Sequence, residues 1–363
     1  MKWVFATVLS AAVLLGTASC GTTEESKQTQ VTAKNIDSLL TAHPDSVPLL
    51  LKRGEMRFDN YQFDLSMQDA AKAYRLQKNN PKAKLLFAEV LNNRSGRTPE
   101  DVANAQGLYK DVLKKDGKNV RALVGIASTY TYQQKFDESF EYLNKALRID
   151  RHYRNAYVLK GTNFMTMGQK EKAISSYETA VQQDPEFYEA YFFLANIYEA
   201  DGNEQCVEYY RNAVELRPDS REMRYKLAYA QQNFGKTLAA QENYRLLAND
   251  TVDFYSNRGY FHQGYIHQFG TQEIDSAIYF YNEALKVEPR HVESWHNLGM
   301  CYDWAGQKTK ALQSFGKALK YDPEFELSRN YADSIRLLPA SVKIPPSSSD
   351  VNLQPIEDNG NSK

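Results

Sequence analysis

The sequence predicts an all-α fold, an array of about eight stacked helix–turn–helix units. Three observations lead there. Similar segments recur along the chain at a period of about 34 residues. Within each copy, apolar residues fall at i, i+3, i+4 and i+7, with a small residue held at a fixed place among them. The composition suits helices carrying many half-buried rings, with 25 Tyr and 17 Phe against only 18 Gly and 12 Pro. Of the 363 residues, 42% are hydrophobic and 25% charged, which excludes a collagen, a low-complexity chain and a polytopic membrane protein. Lys and Arg number 44 against 45 Asp and Glu, so no basic field advertises nucleic acid.

In chain order, Lys2 precedes an apolar stretch from Val4 to Gly16, well short of the ~20 residues that cross a bilayer. Residues 1–19 therefore read as a signal peptide. Thr17, Ala18 and Ser19 lead into Cys20, and this arrangement resembles the lipobox of bacterial lipoproteins, with Thr17 where that family prefers Leu. The resemblance implies that Cys20 is acylated after cleavage, and several acyl chains at ~0.8 kcal/mol per buried CH₂ make a lasting anchor. Removing residues 1–19 takes away Lys2, so the net charge of -1 becomes more negative by one and the anchor must be lipid. Residues 20–34 read as the lipidated cysteine and a polar tether with an r.m.s. reach of ~20 Å. Among bacterial lipoproteins a residue other than Asp after the cysteine accompanies sorting to the outer membrane, and here it is Gly21. The expected place is the outer membrane, with its periplasmic and surface faces both open.

A short leading helix is expected over Ile36 to Ala42. Two looser copies come next, one through Leu50, Gly54, Ala70 and Tyr74 to Pro81. The other runs through Phe87, Val90, Ala105, Tyr109 and Val112 and is lengthened by the loop from Asn93 to Pro99. After them come Leu123, Ile126, Ala127, Tyr130, Leu143 and Ala146, then Tyr157, Gly161, Phe164, Ala173, Tyr177, Ala180 and Pro185. The following copies hold Tyr191, Leu194, Ala195, Tyr198, Tyr210, Ala213 and Pro218, then Ala228, Tyr244 and Leu247, then Gly264, Tyr281, Ala284 and Pro289. The last is the clearest, with Trp295, Leu298, Gly299, Tyr302, Ala311, Phe315, Ala318 and Pro323. Small residues are needed where tilted helices nearly touch, and a proline after the second helix stops it. A closing helix is expected from Glu326 to Leu338, and residues 339–363, with Pro345, Pro346 and a serine run, read as a disordered tail.

The last copy carries W-x2-L-G-x2-Y, then A-x3-F and a closing Pro, and resembles the tetratricopeptide repeat in full. The resemblance covers residues 47 to 325 and implies a right-handed α-α superhelix within a solenoid spanning 35–338. It also implies that ligands sit on the concave side, at the second, fifth, ninth, twelfth and thirteenth repeat positions. In this chain those positions include Tyr132, Phe192, Asn196, Tyr225, Tyr229, Gln232, Asn233, Arg258, Phe261, Tyr265, His296 and Trp304. Rings alternating with amides suit an extended or helical protein segment, the rings giving contact area and the amides reaching backbone groups. The chaperone-binding carboxylate clamp does not recur, because Phe192 precedes Asn196 where that subgroup has Lys.

No enzyme motif stands up. Ala230 to Thr237 fits a loose nucleotide-binding pattern ending Gly235-Lys236-Thr237, but a phosphate loop must follow a strand, and here a helix precedes it. His262 and His267 diverge by about 140° of arc on one helix, poor metal geometry. Cys206 and Cys301 fall at small-residue core positions. The expected protein is a non-catalytic adaptor without cofactor, metal, nucleic acid or small-molecule substrate, holding a segment of an envelope protein in its groove. The rival expectation is a structural subunit of an assembly, secretion or pilus complex, bound through convex faces with the groove unused.

Overall fold

A computed structural model describes residues 35–248 and 252–337. The signal peptide, Cys20, the tether and the tail from residue 338 lie outside the described residues. Every regular element among the described residues is helical. No described helix is long and apolar enough to cross a membrane. The chain divides into two compact units, with the boundary after Arg97.

The first unit contains α1 (Ile36–Ala42), α2 (Val47–Asp59), α3 (Phe63–Leu76) and α4 (Pro81–Asn93). Leu50, Leu51, Ala70, Ala73, Leu86 and Val90 form its core. Gly54 of α2 lies close to both α3 and α4: an added Cβ would meet Leu86 Cδ2 of α4 at 2.8 Å and Asp69 Cβ of α3 at 3.3 Å. Asp69 is buried at 2% exposure. Its oxygens accept from Arg53 Nε at 2.9 Å and Arg57 Nη1 at 2.7 Å, so the charge is paired where it is desolvated. Pro81 opens α4 at its first turn, where a missing N–H costs nothing, and the Asn80 side chain caps that helix.

The unit boundary falls inside the lengthened second copy. Its first helix, α4, belongs to the first unit, and its second, α5 (Pro99–Lys115), to the second. A reciprocal Thr98–Asp101 capping box starts α5. Six hairpins come after it: α6/α7 (Val120–Tyr132, Phe136–Ile149), α8/α9 (Arg154–Thr166, Lys170–Gln183), α10/α11 (Tyr188–Ala200, Gln205–Leu216), α12/α13 (Arg221–Asn233, Thr237–Leu247), α14/α15 (Phe254–Tyr265, Ile274–Val287) and α16/α17 (Val292–Trp304, Lys308–Tyr321). Helix α18 (Glu326–Leu337) packs on the last of them.

Within three of the hairpins the two helices cross with a glycine facing a ring. An added Cβ would lie 2.5 Å from Tyr177 at Gly161, 2.9 Å from Tyr281 at Gly264 and 2.7 Å from Phe315 at Gly299. Tyr177, Tyr281 and Phe315 are themselves buried. Polar side chains add ties between and within hairpins: Thr131 Oγ1 of α6 donates to Asn163 Oδ1 of α8 at 2.7 Å, and Asn257 Nδ2 of α14 donates to the Ala284 carbonyl of α15 at 3.0 Å. Gly235 sits at φ +71° in the turn between α12 and α13, so the Gly-Lys-Thr run belongs to an inter-helix turn.

The α14/α15 hairpin departs from this spacing. Gly161 and Gly299 precede their facing rings by 16 residues, whereas Gly264 precedes Tyr281 by 17. The extra residue is absorbed as a π-helical turn, Ile266–Thr271, continuing α14.

Candidate peptide-binding face

The first helices of successive hairpins carry the candidate residues, all within the second unit. On α10, Phe192 packs 5.9 Å from the Tyr210 ring. Asn196 Nδ2 donates to the Phe192 carbonyl at 2.8 Å, while its Oδ1 lies 2.9 Å from the Tyr210 hydroxyl. That hydroxyl also donates to Glu199 Oε2 at 2.6 Å, and burial with the nearby carboxylate holds its proton far above the ordinary tyrosine range. Glu199 then accepts from Lys226 Nζ at 3.3 Å, which joins α10 to α12.

On α12, Tyr225 and Tyr229 stack at 6.2 Å. The Tyr225 hydroxyl lies 3.4 Å from His262 Nε2, and His262 stacks on Tyr244 at 4.6 Å. Burial raises the Tyr229 hydroxyl, tempered by a hydrogen bond with Asn233, whose side chain is exposed. Gln232 is half-buried, and its Oε1 has no protein partner. Arg258, on α14, lies over the Phe254 ring at 4.9 Å and hydrogen-bonds His291 Nε2. Tyr265 at the end of α14 is raised by burial and by the neighbouring Tyr229. It meets Phe269 at 4.7 Å, and Phe269 meets Trp304 of α16 edge-on at 5.8 Å. The half-buried rings Tyr225, Tyr229, Tyr265, Phe269 and Trp304 thus form one track across three first helices.

Two of the expected groove residues are not on this surface. Phe261 is 7% exposed, packed against Tyr281 at 5.8 Å and His291 at 5.0 Å. His296 is 4% exposed because α18 covers it: Ser328 Oγ lies 2.9 Å from its Nδ1, and Phe325 and Tyr331 close around the ring. Both are core residues and offer nothing to a partner. Tyr132 is exposed at the end of α6, two hairpins away from α10. Phe269, absent from the expected set, is brought in by the π-turn. The 17-residue spacing was its visible signal.

Burial pushes the Cys206 thiol up to about 11 and raises Cys301 further, so neither is a thiolate nucleophile. His262 and His291 are lowered to about 3 by burial and by Arg258, and remain neutral. Rings with polar edges give area for binding at low entropy cost.

The tetratricopeptide repeat family matches three stretches: residues 120–153, 158–205 and 292–325. Each of these three stretches is similar to a tetratricopeptide repeat. The matched stretches correspond to α6/α7, the α8–α10 region and α16/α17, where the regular spacing is kept. Human tetratricopeptide repeat protein 6 is 25% identical over 198 residues, covering 53% of this chain and 37% of that protein. The BBSome complex member BBS4 of Bos taurus is 23% identical, covering 60% of this chain and 41% of its own. Human protein O-mannosyl-transferase TMTC3 is 22% identical, covering 64% and 26%. The chain thus spans less than half the length of these relatives. Among solved structures, the human IFIT1 dimer with m7Gppp-AAAA superposes with a TM-score of 0.51 at 15% identity, covering 79% of this chain and 76% of that one. The APC/C hetero-tetramer Cut9-Hcn1 gives 0.50 at 17% identity, covering 83% and 58%. These likenesses establish the fold, an all-α tetratricopeptide solenoid.

Proposed function

We propose that this protein is a non-catalytic adaptor of the bacterial cell envelope, anchored at the outer membrane through lipidated Cys20, which captures an extended partner segment on the face formed by α10, α12, α14 and α16. The observation that carries the binding reading is the ring track from Tyr225 to Trp304, flanked by Asn196, Gln232 and Asn233. Rings supply desolvated contact area, and the exposed Asn233 side chain is the amide left to meet a partner's backbone groups. Tetratricopeptide repeats serve as protein-interaction surfaces, and the near-neutral composition gives no reason to expect a polyanion. The anchor rests on the apolar leader and the Cys20 context alone.

Two measurements test the two halves. Tyr229→Ala with Tyr265→Ala, made together, is expected to abolish crosslinked partner capture in native envelopes while circular dichroism stays helical; capture equal to wild type rejects the face. Cys20→Ala is expected to release the protein from the membrane fraction, and retention of the variant there rejects the lipid anchor.

A further inference from the structure

We propose that the ring track is also the docking site of the chain's own segment 338–350, so that the protein carries an intramolecular competitor for its partner. This rests on reading the track as a peptide-binding face. The geometry starts from α18, which runs alongside α16 in the same direction. His296, in the first half of α16, meets Ser328, in the first half of α18. Further along, Met300 shares one apolar cluster with Ala332 and Ile335, and Phe269 and Trp304 pack on that same cluster. The chain therefore leaves α18 at the Trp304 end of the track. Leu337, its last helical residue, is 85% exposed there.

The residues beyond Leu337 have the chemistry the track accepts. Pro339, Val342, Ile344, Pro345 and Pro346 fall within ten residues of Leu337. Prolines preset an extended polyproline conformation, which docks on grooves lined by aromatic rings with little entropy left to lose. Reach is sufficient: Pro346 lies nine residues beyond Leu337, a span of up to about 30 Å when extended. Adjacent helix axes lie roughly 8–10 Å apart, so a path from Trp304 over Tyr265 to Tyr229 needs on the order of 20 Å. A tether this short gives an effective concentration on the order of millimolar. Weak docking would then be occupied until a tighter outside segment displaced it.

Hydrogen exchange on the full-length chain tests this. At low protein concentration, amides between residues 340 and 344 are expected to exchange at least about 10-fold more slowly than an unstructured segment. Trp304→Ala with Tyr265→Ala should remove that protection while α6 to α11 keep theirs. Because those substitutions touch packed rings, a second variant leaves the solenoid untouched: Ile344→Ser, Pro345→Ser and Pro346→Ser together should also abolish protection at 340–343. Free exchange in the wild type overturns the proposal, as does protection that survives both variants. Protection that appears only as concentration rises would place a second copy's tail on the track and equally overturn it. If ring substitution stops partner capture while 338–350 exchanges freely, the tail proposal alone fails. If ring substitution affects neither, the peptide-binding reading falls with it.

Discussion

Hairpins α14/α15 and α16/α17 are neighbours built on the same crossing, glycine against a buried ring, yet one carries an extra residue and the other does not. In both, the crossing is kept: Gly264 faces Tyr281 and Gly299 faces Phe315. The surplus is displaced into the turn, as Ile266–Thr271, where it spoils no helix-to-helix packing. The consequence lies at the surface. The regular hairpin contributes one ring to the track, Trp304, while the irregular one contributes Tyr265 and Phe269. The extra residue is thus taken up where the core tolerates it, and it adds a ring to the surface.

The largest effect that bears on this comparison is acid. His262 of α14 and His291 at the start of α16 are lowered to about 3, by burial first and then by the positive charge of Arg258; His296 is lowered to about 4 by burial. These folded values lie below the ~6.5 of an unfolded histidine. The unfolded chain therefore binds protons first as pH falls. Their contribution is complete above about pH 6.5 and declines toward pH 3, by up to about 1.4 kcal/mol per pH unit for each ring. Urea denaturation at pH 7, 5 and 4 should show steep loss in α14 to α18, with α6 to α11 less affected. Replacing His262 by Phe should flatten the slope. A slope unchanged in that variant would mean the ring is already solvated.

Next in size is the crossing itself. Gly264→Ala and Gly299→Ala each push a methyl group inside 3 Å of a buried ring, a net cost of about 1–3 kcal/mol even after alanine's helical advantage. The tighter contact is at Gly299, but Gly264→Ala should cost more. Tyr281 is pinned, its hydroxyl donating to Gln268 Oε1 at 2.7 Å and accepting from Asn297 Nδ2 at 3.2 Å, whereas Phe315 has no such tether. Moving the Tyr281 ring would strain buried hydrogen bonds. Denaturant midpoints for both variants, with and without Tyr281→Phe, measure this. The gap should close in the Phe background, and a gap that persists would locate the rigidity elsewhere.

The crossings were legible in the sequence because a glycine or alanine at fixed distance from a ring is a steric requirement visible in one dimension. The track was legible in part. Tyr225, Tyr229, Tyr265 and Trp304 lie where repeat position places them, but Phe261 and His296 sit at equivalent positions and are buried. Position along a helix gives the direction of a side chain, not what covers it. His296 is covered by α18, and Phe261 by His291 from the next hairpin. Phe269 was missed for a related reason: an inserted residue rotates everything after it, and a fixed repeat register cannot follow that rotation. The lengthened copy spanning α4 and α5 fails similarly, since matching residues on two helices do not require that both belong to one compact unit.

The smallest effect, and the cleanest test of the comparison, lies in the turns. Both hairpins end their first helical segment with a residue in the left-handed region, Gln272 at φ +58° in the lengthened one and Gly306 at φ +76° in the regular one. Glycine adopts this conformation freely, whereas a Cβ beside the following carbonyl is penalised there. No atom lies within 4 Å of a Cβ built on Gly306, so substitution there is a purely backbone event. Gly306→Gln should lose about 1 kcal/mol, and Gln272→Gly should gain a similar amount less the entropy glycine adds to the unfolded chain. Thermal denaturation of the two single variants and the double variant reads out both. If the lengthened turn is held by its π-helical hydrogen bonds alone, the effects add in the double variant. If Gln272 gains nothing on becoming glycine, its side chain contributes to the turn, and the extra residue is an integral part of how Phe269 is presented between Tyr265 and Trp304.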